Sequence, residues 1–209
     1  LMDIFTMPRL SCNISENERV ISPFQISDLT SISNKGLIVG HGGSGKSTLL
    51  KYLLLRELEQ GWHIPIYFEL RNTIVRKDLS LIDNLYEEIK ERGCLINKET
   101  YIYGLKTGRF VLFLDAIDEV SNRSNIISEL NSLSNIEQLT IYLTSRPVAV
   151  SGEVLMKYKT FHILPFGQEQ IVDFLDRVCF PDKGFYQNIK DKIIHYINDN
   201  AREFSNPLL

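Results

Sequence analysis

The chain has 209 residues, 44% of them hydrophobic and 23% charged, and carries a net charge of −3. This is the composition of one globular domain, with room for a small appendage, and the slightly acidic balance gives no electrostatic footprint for nucleic acid. Cys12, Cys94 and Cys179 lie far apart with no CxxC or Cys/His cluster, which argues against zinc and fits a reducing, cytoplasmic setting; no apolar run approaches the ~18–20 residues that cross a bilayer, so no membrane partner is expected.

In chain order, residues 1–35 read as an N-terminal lead-in. Gly36–Val39 is a short apolar strand. Lys46–Gln60 follows with helical period and stops at Gly61. Its leucines, Leu49, Leu50, Leu53, Leu54 and Leu58, spread too widely for a surface helix, which places it in the core. His63–Leu70 reads as the next strand and Leu81–Arg92, ended by Gly93, as an amphipathic helix. Arg109–Asp115 is an almost continuous apolar run, as a central strand covered on both faces requires. Ser124–Leu133 is a short helix, and Leu139–Thr144 and Lys159–Leu164 are two more strands. Helices at Gln168–Val178 and Gln187–Ile197 then follow with no strand after them. The alternation predicts an α/β fold with a mostly parallel central sheet flanked by helices over residues 36–164. Residues 165–209 read as the start of a small helical lid. The first residue, Leu1, and the last, Asn206-Pro207-Leu208-Leu209, read as the ends of a piece cut from a longer protein.

Between the first strand and its helix lies Gly40-His41-Gly42-Gly43-Ser44-Gly45-Lys46-Ser47. It matches G-x-x-x-x-G-K-[ST] in the strand–loop–helix setting that gives the pattern its meaning. Backbone N–H groups that converge on a phosphate need tight turns with positive φ, and Gly42, Gly43 and Gly45 permit that path. The helix start adds its partial positive charge. Gly40, His41, Gly42, Gly43, Ser44 and Gly45 line the phosphates in this reading, with the His41 side chain in solvent. Lys46 reaches the β- and γ-phosphate oxygens, the Ser47 hydroxyl is a Mg²⁺ ligand, and Thr48 stands near the α-phosphate.

Arg109–Asp115 ends in a carboxylate and runs into Ala116-Ile117-Asp118-Glu119. The tip of a buried strand is where such sheets place their ligand crevice, and there Asp115 can hold Mg²⁺ directly or through water. Hydrolysis further needs a carboxylate that orients and deprotonates water. Asp118 and Glu119 are the candidates, with Glu119 preferred; both also suit a helix N-terminus. These acids are expected on a strand neighbouring that of the phosphate loop. Arg146, after Leu143-Thr144-Ser145, can sense a γ-phosphate or pair structurally with Asp118 or Glu119. Pro207, flanked by apolar residues, can pack on an adenine or simply start a helix.

Taken together, these segments resemble the NACHT family of the STAND class of signalling ATPases. Gly36–Leu50 is similar to the family's first motif and Phe110–Glu119 to its second, with Asp115, Ala116, Asp118 and Glu119 at matching positions. Leu143–Pro147 is similar to the sensor strand, Ile64–Phe68 to the second strand, Phe161–Leu175 to the entry into the lid, and Asn206–Leu209 to the lid motif whose proline contacts adenine. The resemblance implies a slow, regulatory ATPase with ATP/ADP and Mg²⁺ as ligands. It also implies self-association when ATP is bound, and effector and sensor domains in cis, in a protein of antiviral defence or innate immunity. Two alternatives compete: a module that holds ADP without turnover, and a metabolic P-loop phosphotransferase. The scattered Arg71, Arg76, Arg109 and Arg123 show no second-substrate cluster for the latter, and no N-K-x-D tetrad marks a GTPase.

Overall fold

The computed structural model describes residues 5–14, 17–70, 79–120, 123–147, 157–177, 190–192 and 194–195. The described chain forms a hairpin, β1 (Leu10–Ile14) and β2 (Asn17–Ile21), and a short helix α1 (Ile26–Thr30). β3 (Lys35–Val39), α2 (Lys46–Gln60) and β4 (Ile64–Glu69) follow, then α3 (Leu81–Glu91), α4 (Lys98–Lys106) and β5 (Phe110–Asp115). A 3₁₀ turn at Ile117–Glu119 leads to α5 (Arg123–Leu133), β6 (Thr140–Ser145), β7 (Lys159–Ile163) and α6 (Gln168–Arg177).

All seven strands join one sheet in the order β2-β1-β7-β3-β6-β5-β4. The five from β3 to β7 are parallel, and the hairpin adds to β7 antiparallel. Parallel neighbours need crossovers, which is why a helical segment separates most of these strands and both faces are covered. One face packs Leu37, Leu112, Leu114 and Leu143 against Leu85, Tyr101, Leu105 and Leu130 of α3, α4 and α5. The other packs Ile38, Val111, Phe113, Tyr142 and Phe161 against Leu49, Leu50 and Leu53 of α2. Consecutive residues of β3 and β5 therefore serve opposite cores, and their uninterrupted apolar runs follow. Each buried leucine of α2 contributes about 2 kcal/mol by area.

The five strands and four of the helices expected from the sequence are present within about a residue of their expected bounds. Helix α2 differs in its exposure. Only Leu49, Leu50, Leu53 and Glu57 are buried, and Leu58 is 57% exposed, so the helix lies on the sheet with one face in water. Its five leucines extend past that face because leucine is also a strong helix former. Residues 190–192 and 194–195 are helical, and the rest of the predicted helix at Gln187–Ile197 lies outside the described residues. The hairpin, α1 and α4 were not predicted. Gly104 in α4 reads as a helix breaker, yet a Cβ there would stand 2.2 Å from the Phe110 ring, so close packing accounts for it.

Among the described residues, no helix is long and apolar enough to cross a membrane. Cys12 is a buried free thiol and Cys94 an exposed one; Cys179 lies outside the described residues.

Candidate functional site

The loop after β3 closes at the carboxyl end of the sheet. Gly40 continues the strand pairing, its N–H donating to the Ser145 carbonyl at 3.2 Å. Gly43 and Gly45 have φ of 77° and 89°, values that only glycine adopts without strain. Gly45 is the last residue before α2, and its carbonyl accepts the Leu49 N–H at 2.8 Å. The chain thus turns from a left-handed residue directly into a helix whose first N–H groups have no intrahelical acceptor.

The Lys46 ammonium folds over the loop and donates to the Gly40 and His41 carbonyls, both at 2.8 Å. Its pKa is lowered, first by burial and then by the Arg146 charge, while Asp118, Asp115 and Glu119 pull it upward. Three carboxylates and one guanidinium therefore act on the Lys46 charge. His41 is exposed and Ser47 and Thr48 are half-buried.

Asp115 ends β5 and is buried. Thr144 on β6 donates a hydrogen bond to its Oδ1, and the Tyr67 hydroxyl on β4 donates to its Oδ2 at 2.8 Å. Thr144 Oγ1 also accepts the Ala116 N–H at 2.8 Å. Ala116 has φ 60° and ψ 55°, and among the described residues it is the only non-glycine with positive φ. Such a conformation costs on the order of 1 kcal/mol and persists where the surroundings impose it. Here it swings the 3₁₀ turn so that Asp118 and Glu119 face Arg146.

Arg146 connects the tips of β5 and β6. Its Nε lies 3.3 Å from Asp118 Oδ2, its backbone N–H donates to Asp118 Oδ1 at 3.2 Å, and its NH2 group donates to Glu119 Oε1 at 3.2 Å. The Asp118 side chain is 9% exposed and that of Glu119 35%. Of the two arrangements open for Arg146, the ion pair is the one observed.

One expectation is corrected. The acidic strand was expected beside the strand of the phosphate loop, but β6 lies between β3 and β5. The crossover from β3 carries the chain to the far edge at β4, β5 and β6 fill back inward, and β7 joins the other side of β3. This insertion is what places Thr144 and Arg146 between the loop and the acids. Pro207 lies outside the described residues, as do Arg71 and Arg76. Tyr67 was missed because a tyrosine in a strand reads as β-propensity, and only the register between β4 and β5 shows what its hydroxyl reaches.

The residues fit a nucleotide phosphate group with its metal. A Cβ built at Gly42 or Gly45 would meet no atom within 4 Å, so space is open beside the loop at both positions, whereas one at Gly40 would stand 2.5 Å from Ser44 Oγ. Ser44 Oγ is buried without a hydrogen-bond partner. Among the described residues, no three His, Cys, Asp or Glu side chains form a metal cluster. Asp115 and the Ser47 hydroxyl offer two oxygens, the sparse donor set with which Mg²⁺ is held alongside phosphate and water.

Comparison with solved structures finds distant likenesses. Aquifex aeolicus DnaA bound to AMPPCP shares 16% identity over 78% of this chain and 50% of that chain, with a TM-score of 0.49. C. elegans PCH-2 shares 12% over 71% and 40%, at 0.43, and Aeropyrum pernix Orc1 in complex with DNA 19% over 68% and 42%, at 0.44. The chain spans half or less of each of these proteins. No curated protein matches it. The model of the NACHT domain matches residues 36–183, a span that begins on the phosphate-loop strand, takes in Asp115, Asp118, Glu119 and Arg146, and runs through α6. The chain accordingly belongs to the NACHT family, within the P-loop NTPase class.

Proposed function

We propose that this domain is the ATP-dependent switch of a larger signalling protein, binding ATP or ADP with Mg²⁺ and hydrolysing ATP slowly. The observation that carries the reading is that the glycine loop and the acids meet at the tip of β6: Gly40 bonds the Ser145 carbonyl, Arg146 holds Asp118 and Glu119, and Thr144 holds Asp115. Lys46 now rests on two neutral carbonyls; phosphate oxygens are stronger, charged acceptors for the same donors. Asp115 and Ser47 would hold Mg²⁺, which when bound neutralises phosphate charge and orients the transferred group. With both Asp115 oxygens already accepting hydroxyl bonds, contact through water is favoured.

Glu119 is the general base in this reading. It holds Arg146 by one guanidinium nitrogen and is the more exposed of the two acids, whereas Asp118 is nearly buried and bonded to both the backbone and the side chain of Arg146. Arg146 can leave Glu119 for a γ-phosphate and release the carboxylate to orient water. That exchange makes the arginine a reporter of ATP over ADP, and a ligand must distinguish two arrangements for a switch to exist. Effector and sensor domains in cis, self-association in the ATP form, a defence role and a cytoplasmic setting belong to the same proposal through the family.

A direct test uses the purified chain with fluorescent ATP and ADP and a single-turnover assay. Lys46→Ala is expected to weaken nucleotide binding by more than about 100-fold. Glu119→Gln should bind as wild type and slow hydrolysis by about 100-fold or more. Binding with no turnover in the wild type would make the domain an ADP-holding module. Unchanged hydrolysis in both Glu119→Gln and Asp118→Asn would remove the catalytic assignment.

A further inference from the structure

Asp115 is held by hydroxyl donors from the strands on either side of it, Thr144 on β6 and Tyr67 on β4. In the register between β4 and β5, Tyr67 faces Phe113 and Glu69 faces Asp115. Side chains alternate along a strand, so Tyr67 stands on the same face of the sheet as Asp115 but one pleat lower. A phenol is long enough to span that pleat; a serine or threonine at the position is not. The ring is also held from above, with the Lys51 ammonium 5.4 Å from its centroid. Lys51 is four residues after Ser47 in α2 and so shares its side of the helix. A cation over the π face draws density from the ring and makes the hydroxyl a stronger donor.

We propose that Tyr67 is a positioning residue that couples the two prospective Mg²⁺ donors, fixing the Asp115 carboxylate through its hydroxyl and the helical turn bearing Ser47 through Lys51. The inference rests on the reading of Asp115 as the metal-side carboxylate. A carboxylate with one oxygen on Thr144 and the other on Tyr67 has a set rotamer, and its remaining lone pairs point where the two donors leave room. Without the phenol hydroxyl, one oxygen is free to rotate, and the geometry offered to a metal-bound water is no longer single. Ring packing alone would survive the loss of that oxygen.

The experiment measures binding of methylanthraniloyl-ATP to the whole chain as Mg²⁺ is varied, for wild type, Tyr67→Phe and Asp115→Asn. In excess EDTA, Tyr67→Phe is expected within about twofold of wild type. Its Mg²⁺ midpoint should rise about tenfold, the usual effect of removing an outer partner of a metal ligand. Asp115→Asn should raise that midpoint at least as far. A wild-type midpoint in Tyr67→Phe beside a shifted Asp115→Asn overturns the inference and leaves the metal reading standing. An unshifted Asp115→Asn overturns both. Equal losses with and without Mg²⁺ would mean that Tyr67 only fills space, and the inference falls. If Tyr67→Phe does not melt cooperatively, Lys51→Met takes its place: a rise of about threefold supports the coupling, and no rise overturns it.

Discussion

Two regions of the molecule, the strand tips beyond the phosphate loop and the helix α6, are built in opposite ways. At the tips of β5 and β6, Asp115, Thr144 and Ser145 are buried, and Asp115 has a donor on each side. The helix α6, which follows β7, has no buried residue. Among the described residues the N-terminal segment holds it, with Thr6 donating to Asp173 at 3.0 Å, Arg9 to Gln170 at 3.1 Å, and Gln170 to the Met7 carbonyl at 2.7 Å, and Lys190 donates to Asp176. The same segment reaches the phosphate-loop helix, where Phe5 stacks on Tyr52 with centroids 4.5 Å apart. The tips of β5 and β6 thus cannot shift without opening a core, while α6 is tied by exposed and part-buried polar bonds that cost less to exchange. If the proposed switch is right, the difference assigns its chemistry to the sheet and its motion to α6.

The largest expected effect attacks the rigid side. A Cβ at Gly36 would stand 2.4 Å from Tyr142 Cδ1 and 3.0 Å from Phe161 Cε2. Tyr142 is fully buried and its hydroxyl is tied to the Ser33 carbonyl at 2.7 Å, so the ring has nowhere to go. Gly36→Val should therefore cost about 3 kcal/mol or more, read as a fall in the urea midpoint, with nucleotide binding lost in step with the fold. A variant of wild-type stability would show that the floor under the loop yields, and the contrast with α6 would disappear.

The rigid side is also the part that was legible in the sequence. Glycines, lysine and hydroxyl in a fixed string report a loop because backbone geometry demands them in that order. Strands β3, β5 and β6 report themselves because burial on both faces keeps their middles apolar and confines the buried polar residues Lys35, Asp115, Thr144 and Ser145 to strand ends. The hairpin carried no such signal: Asn17–Val20 is exposed throughout and Ser11 and Asn13 interrupt β1, so partners supplied by β7 decide its conformation. Likewise, the pairing of Tyr67 with Asp115 depends on register across 48 residues, which no local pattern encodes. The bonds that dock α6 span more than 160 residues and were illegible for the same reason.

A smaller effect concerns Lys35, at the end of β3 opposite the loop. It is 4% exposed, its ammonium donates to the Leu139 carbonyl, and burial pushes its pKa down from 10.5 to about 8. The folded state thus releases this proton more readily than the unfolded chain. Below about pH 8 both states hold the proton and folding bears the full cost, on the order of 3 kcal/mol at about 1.4 kcal/mol per unit. Between about pH 8 and 10.5 the unfolded chain binds more protons, and stability rises with pH. Lys35→Met keeps most of the stem and removes the charge, so denaturation curves across that window should lose the rise contributed by this residue. The same upward slope in Lys35→Met as in wild type would mean that the buried ammonium is not its source.

The smallest effect belongs to α6. The Gln170 side chain makes three bonds: it donates to the Met7 carbonyl, and its Oε1 accepts from Arg9 Nε and from the Gly167 N–H, both at 3.1 Å. The last closes the first turn of α6 in the manner of a capping box. Gln170→Ala removes all three from a partly exposed site, where each is worth about 1 kcal/mol at most. Because α6 has no fully buried residue, that loss should stay local: amide exchange in α6 should speed several-fold while the urea midpoint barely moves. Exchange in the β5 and β6 tips should remain as in wild type. If those tips loosen together with α6, the helix is part of the same cooperative unit as the sheet, and it cannot move independently of it.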